Sequence, residues 1–188
     1  MAKMGYIIMF LLLAGAQGQS QSSVDPALGE LSWNEFYKLQ WDDFQGNADP
    51  NSLGDAATAV QIKAKPFLVK KEVKYDVVAI FNRKKSWIRD PSPSLLAHEQ
   101  LHFDIAELYA RKIRKKIKEL NDQGKNNIKT YNAAIQQLLL ESNEMDQQYD
   151  VETLHGALSK KQAAWSKKVK DELASLKKFK KTVRVIGG

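Results

Sequence analysis

No cysteine occurs anywhere in the 188 residues. That excludes disulfides, thiol nucleophiles and thiolate zinc ligands together, so the fold has to hold by packing, with or without a metal bound through nitrogen and oxygen. Histidine is scarce as well: the chain has His98, His102 and His155 and no others. Any imidazole chemistry must draw on that set. No Gly-x-Ser-x-Gly pattern is present, which disfavours a serine triad. Long apolar runs are missing too. The longest, Tyr6 to Leu13, is too short to cross a bilayer as a stable span.

That run is informative where it stands. Lys3 precedes it and Ala14-Gly15-Ala16 follows it, the order of a secretory signal peptide cut after Ala16 or Gly18. The expected organisation is a signal peptide over 1–18, a polar, turn-rich lead-in over 19–30 and one domain over 31–188. Secretion or a periplasmic location, by export of the Gram-negative type, follows from the leader, with no stable membrane span left after cleavage. The competing reading of the leader is an uncleaved anchor. Net charge is +7, from 29 Lys and Arg against 22 Asp and Glu. Much of the excess lies in the second half, where lysines read as a solvated helical face. No nucleic-acid-binding motif accompanies the charge, so nucleic acid is not an expected partner.

Hydropathy divides the domain. Trp33, Phe36, Trp41 and Phe44 are the large apolar anchors of its first segment, which closes at Gly46. The stretch 47–56 is loop by composition. Residues 57–69 alternate at Val60, Ile62 and Ala64, and residues 71–82 place Val73, Tyr75, Val77, Ala79 and Phe81 on one face. Val78 and Ile80 fall on the other face, so this strand is expected to be covered on both sides. From Ser94, a candidate N-cap, the period changes to helical: Leu101, Ile105, Leu108, Ile117 and Leu120 recur through about Asn121. A second helix is expected over about 127–147, a loop over 149–157 and a third helix over about 159–178, striped by Trp165, Val169, Leu173 and Leu176. The tail 181–188 reads as a short strand. Strands followed by helices predict an α+β fold, a small N-terminal sheet packed against three main helices.

The densest chemistry is His98-Glu99-Gln100-Leu101-His102. Residues four apart share a helix face, so His98 and His102 can aim at one point, with Glu99 beside the first. This is the spacing of two zinc ligands and a general base. A catalytic zinc (Zn2+) site takes three protein ligands and keeps an open position. Glu107, nine residues or about 900° from His98, lies on the opposite side of the helix, and Asp104 lies about 200° from His102. Position 108, where an extended pattern would need histidine, is Leu108. The third ligand therefore comes from elsewhere: His155 leads, and Glu141 and Glu144 are the alternatives. Asp150 or Glu152 is a candidate to hold a ligand imidazole's spare nitrogen. Tyr149 is a candidate hydrogen-bond donor to an oxyanion, though a turn or capping role fits its position equally. Trp87 reads as a core or rim residue before a cleft residue.

Three segments in order carry a resemblance: "WDDFQG" (41–46), "HEQLHFDIAELYARKI" (98–113), and "YDVETLHG" (149–156) followed by "QAAW" (162–165). Together they resemble a bacterial family numbered 922 among the domains of unknown function and described as predicted secreted zinc-dependent proteases. The similarity runs from about Leu31 to Leu176. It implies an exported, zincin-like metallopeptidase that hydrolyses peptide bonds, with His98 and His102 as zinc ligands, Glu99 as catalytic base and His155 contributed by the later segment. The implied partner is a peptide or protein substrate, and the expected state is a monomer. The alternative is a non-catalytic exported envelope binding protein with an inert or structural metal. By analogy with zincin-like enzymes, the strand 74–82 would offer its edge to substrate backbone.

Overall fold

A computed structural model describes residues 29–52 and 54–181. The expected signal peptide and nearly all of the expected lead-in lie outside the described residues, as does the tail after Lys181. The described chain is α+β. Strands β1 (Glu30–Ser32), β3 (Val60–Val69) and β4 (Glu72–Asn82) form an antiparallel sheet of order β1-β4-β3. Two short strands, β2 (Ala56–Ala57) and β5 (Trp87–Ile88), pair separately and were not foreseen. Three helices follow: α1 (Pro93–Asp122), α2 (Ile128–Thr153) and α3 (Ser159–Ser175), the last ending in a 3-10 turn at Lys177–Phe179. Among the described residues no helix is long and apolar enough to cross a membrane.

The β3–β4 hairpin closes through Lys70 and Lys71, both left-handed at φ 48° and 70°. That is the backbone of a two-residue primed turn, whose twist matches the strands it joins. It sets the register Val69↔Glu72 through Val60↔Phe81. Every residue from Val77 to Phe81 is buried, so β4 is covered on both faces as its composition predicts. Val77, Ala79 and Phe81 meet Leu101, Ile105 and Leu108 of α1 in one core. The edge expectation fails for this strand. β4 is the middle strand, flanked by β1 and β3, and Arg114 donates to the Val77 carbonyl at 2.9 and 3.0 Å.

Ser92, not Ser94, caps α1: its hydroxyl accepts from the Leu95 amide, and Pro93 takes the first helical position, where a missing N–H costs nothing. Phe36 is a second correction. It is 89% exposed, while Trp33 packs against the core and gives its indole N–H to Asp104 at 2.7 Å. Trp87 is buried within β5. Glu107 lies away from the histidines, as helical rotation requires. It is buried and ion-paired to Arg111 at 2.9 Å and to Arg114 at 3.2 Å. Arg111 also donates to the Leu173 carbonyl and Arg114 to that of Phe179, tying α1 to α3 and the final turn.

The largest departure concerns α2, which runs to Thr153 and takes Tyr149, Asp150 and Glu152 into the helix. Nothing in residues 148–153 breaks a helix. The break comes at Leu154, His155 and Gly156, three successive left-handed residues at φ 48°, 51° and 84°.

Candidate metal centre

Helices α1 and α2 cross antiparallel at the point where the histidines lie. His98 and His102, four apart on α1, meet Asp150 and Asp146, four apart on α2. Both imidazoles are buried, at 1% and 8% exposure. His102 Nδ1 lies 2.6 Å from Asp146 Oδ1. A carboxylate only accepts, so this contact fixes the ring proton on Nδ1 and leaves Nε2 of the neutral ring as a lone pair. His98 Nδ1 lies 3.3 Å from Gln162 Oε1, a carbonyl oxygen that also accepts from the Tyr149 hydroxyl at 2.7 Å. The same logic leaves His98 Nε2 as a lone pair.

Those two lone pairs face each other at 3.2 Å. Asp150 Oδ1 completes a triangle, 3.1 Å from each Nε2. Three acceptors converging in a buried place repel unless a positive charge sits among them. A proton can bridge one edge of the triangle; a cation can serve all three. Tetrahedral zinc with ligands at 2.0–2.1 Å separates neighbouring donor atoms by roughly 3.3 Å. The triangle therefore fits zinc by size as well as by donor chemistry. Without metal, the charge is a proton. Burial opposes the charged form of His102, but the Asp146 and Asp150 carboxylates outweigh it and hold its pKa well above 6.5. Burial likewise opposes ionisation of Asp150, yet hydrogen bonds from His102 and His98 push its carboxyl well below the usual range.

Glu99 is buried at 4% exposure, and its carboxylate makes no hydrogen bond or ion pair among the described residues. It stands three residues before His102, about 60° round the helix from it. His155 takes a different position from the pair. Its side chain is 60% exposed at the rim, with Nδ1 3.6 Å from Asp150 Oδ1. Donor atoms of His98, Asp150 and His155 all lie within 4.8 Å of one another, a looser grouping than the inner triangle.

Tyr149 is fully buried beneath the pair. Its ring stacks on His98, centroids 4.6 Å apart, and meets His102 edge-on at 5.0 Å. Its hydroxyl lies 2.7 Å from Gln162 Oε1 and 3.2 Å from the His98 carbonyl oxygen, and burial above all pushes its pKa up. Glu152 points elsewhere and accepts the Trp165 indole N–H at 2.9 Å. Glu144 is exposed and Glu141 accepts from Gln137. Both glutamates act on Tyr109, whose hydroxyl is pushed up to about 12, first by burial and then by Glu141, Glu172 and Glu144.

The rest of the 149–156 segment supports this arrangement. The buried Thr153 hydroxyl donates to the Tyr149 carbonyl and accepts from the Gly156 amide. Gly156 passes so close to His98 that an added Cβ would stand 3.0 Å from its Cβ and Cγ and 3.2 Å from Nδ1. Two participants escaped the sequence reading, Asp146 and Gln162. For Asp146 a signal existed: its spacing of four from Asp150 mirrors that of the histidines. Ending the second helix at 147 hid it.

The class defined by this geometry is an α+β domain with a buried histidine–carboxylate cluster shared between two antiparallel helices. Residues 70–156 are similar to the family described as "Bacterial protein of unknown function (DUF922)". The match spans β4, α1 and α2 and contains every residue of the cluster except Gln162. No curated protein and no solved structure matches the chain.

Proposed function

We propose that this protein is an exported zinc-dependent peptidase. The observation that supports it best is the pair of imidazole lone pairs, 3.2 Å apart, each oriented from behind by an acceptor on its other ring nitrogen. Such backing is how metal-binding histidines are held in one tautomer and one orientation. His98 and His102 would hold the ion, with a third donor from the end of α2, where Asp150 and His155 both stand. Zinc, when bound, supplies a Lewis acid that polarises a peptide carbonyl and brings the pKa of a water toward 7.

The protein's own groups do the rest. Asp146 and Gln162 keep the ring protons on Nδ1. Tyr149 walls the pair from the helical interior and serves as a positioning residue; its hydroxyl is already engaged with Gln162 and the His98 carbonyl. Glu99, a buried carboxylate free of hydrogen bonds among the described residues, takes a proton from water and returns it to the departing amine. That step is worth on the order of 10² to 10⁴ in rate. Purified mature protein should carry about one zinc per chain. Glu99→Gln should keep the zinc and lose hydrolysis of a peptide library by at least about 100-fold. Retained hydrolysis would remove Glu99 from its role.

A second reading is supported by His155. Four donors close together, His98, His102, Asp150 and His155, would fill a tetrahedral shell and leave no open position, as in structural sites. The protein would then be a non-catalytic exported binding protein with an inert metal. Zinc at full occupancy with no cleavage of any library member selects that reading.

A further inference from the structure

We propose that Asp150 is the third metal ligand and that His155 stands outside the primary set, as an exchangeable donor at its rim. This rests on the zinc reading of the same cluster. Asp150 Oδ1 is equidistant, at 3.1 Å, from the two Nε2 atoms, which are themselves 3.2 Å apart. The three edges are nearly equal, the condition for three donors to sit on one face of a tetrahedron around a single ion. No other carboxylate makes such contact with both rings among the described residues: Asp146 binds His102 through Nδ1, on the side away from the triangle. Asp150 also projects from the same helical segment as Tyr149, whose ring packs against both imidazoles, so its position is set by the core.

His155 lacks each of these properties. It is mostly exposed, its Nδ1 stands 3.6 Å from Asp150 Oδ1 in a looser grouping whose donor atoms, one from His98 included, spread up to 4.8 Å, and it follows the helix on a left-handed backbone. An imidazole so placed reaches the solvent side of the ion, where substrate must enter. Its role is to occupy that vertex and yield it.

The test uses the mature full-length chain, stripped of metal and titrated with zinc against a chromophoric chelator. Asp150→Asn keeps the shape and removes the anionic donor; zinc affinity should fall more than about 100-fold, beyond what loss of an outer-shell partner causes. His155→Ala should change affinity by less than about tenfold. Asp150→His, which restores a zinc donor, should recover much of the loss, an effect expected of a ligand and not of a structural carboxylate. Circular dichroism of each metal-free variant confirms that it folds. If wild type takes up no zinc, the peptidase reading falls together with this one. If wild type binds and Asp150→Asn stays within tenfold, the assignment of Asp150 is overturned while the zinc reading stands. If His155→Ala loses as much as Asp150→Asn, His155 belongs to the primary set and the shell is closed.

Discussion

Gly156 gives the sharpest check on the packing that orients His98. It carries φ +84°, a conformation that costs an L-residue with a Cβ about 1–2 kcal/mol. A Cβ there would also lie 3.0 Å from two His98 carbons, so the ring must give by a few tenths of an ångström. Overpacking of this kind in a well-filled interior costs about 1–3 kcal/mol. Gly156→Ala should therefore destabilise the protein by about 3 kcal/mol. At this chain length that is a fall of roughly 10 °C in Tm. Gly124 supplies the control, because it has φ +71° and no atom within 4 Å of its would-be Cβ. Gly124→Ala should cost only the backbone part, about 1–2 kcal/mol. The difference between the two isolates the pressure on His98. Urea denaturation of both metal-free variants measures it, and zinc titration should show a loss of about tenfold or more for Gly156→Ala alone. Equal destabilisation by the two substitutions, with unchanged zinc affinity, would refute the view that Gly156 exists to make room for His98.

Three further outcomes are expected. Asp146→Ala should weaken zinc binding about 10- to 100-fold while stoichiometry stays the same, because it removes the acceptor that orients His102; an unchanged titration curve would count against that orienting role. The raised pKa of His102 has a definite sign: its contribution to the metal-free fold is complete below 6.5 and disappears as pH rises through the higher folded-state value. Metal-stripped protein should thus lose Tm over that upper window while zinc-loaded protein does not, and zinc affinity should fall on the acid side, where a proton competes for the ring; a metal-free Tm that climbs through the same range contradicts the assignment. Glu107→Ala should cost about 3 kcal/mol or more in urea denaturation, since it leaves Arg111 and Arg114 without their buried anion; a loss under about 1 kcal/mol would show that the arginines find water instead.

How far the sequence shows this arrangement depends on the kind of signal each residue carries. Val77 to Phe81 and the α1 stripe were legible because burial and period are local properties of the chain. His98, Glu99 and His102 were legible because one helix supplies all three. Asp150 was read only as a neighbour of an imidazole, and Asp146 not at all, because their meaning depends on how two helices cross. A four-residue spacing on α2 acquires chemical sense only when α2 runs antiparallel to α1 in one register. Phe36 failed for the converse reason. An aromatic in an apolar-rich segment predicts a core anchor, but the chain turns at Asn34 to Tyr37 and the ring faces solvent, while its neighbour Trp33 takes the buried partner Asp104. His155 was visible as a rare residue, yet its backbone conformation, which turns it to the rim, follows from the helix ending two residues earlier, at Thr153.

The division of donors between elements also bears on how a chain without cysteine holds together. On the zinc reading, α1 brings two imidazoles, α2 brings Asp150 and the carboxylate behind His102, and α3 brings Gln162 behind His98. Each helix is needed before the acceptors converge, and their convergence is unfavourable until a cation joins them. Metal binding and helix packing are then one equilibrium, and an ion at 1,000 times its Kd adds about 4 kcal/mol to stability. That is comparable to what a disulfide contributes to a small exported domain, about 2–4 kcal/mol. The same cluster can therefore be the catalytic centre and the clasp of the fold. Stripping the metal would disable the chemistry and loosen the three-helix junction in one step.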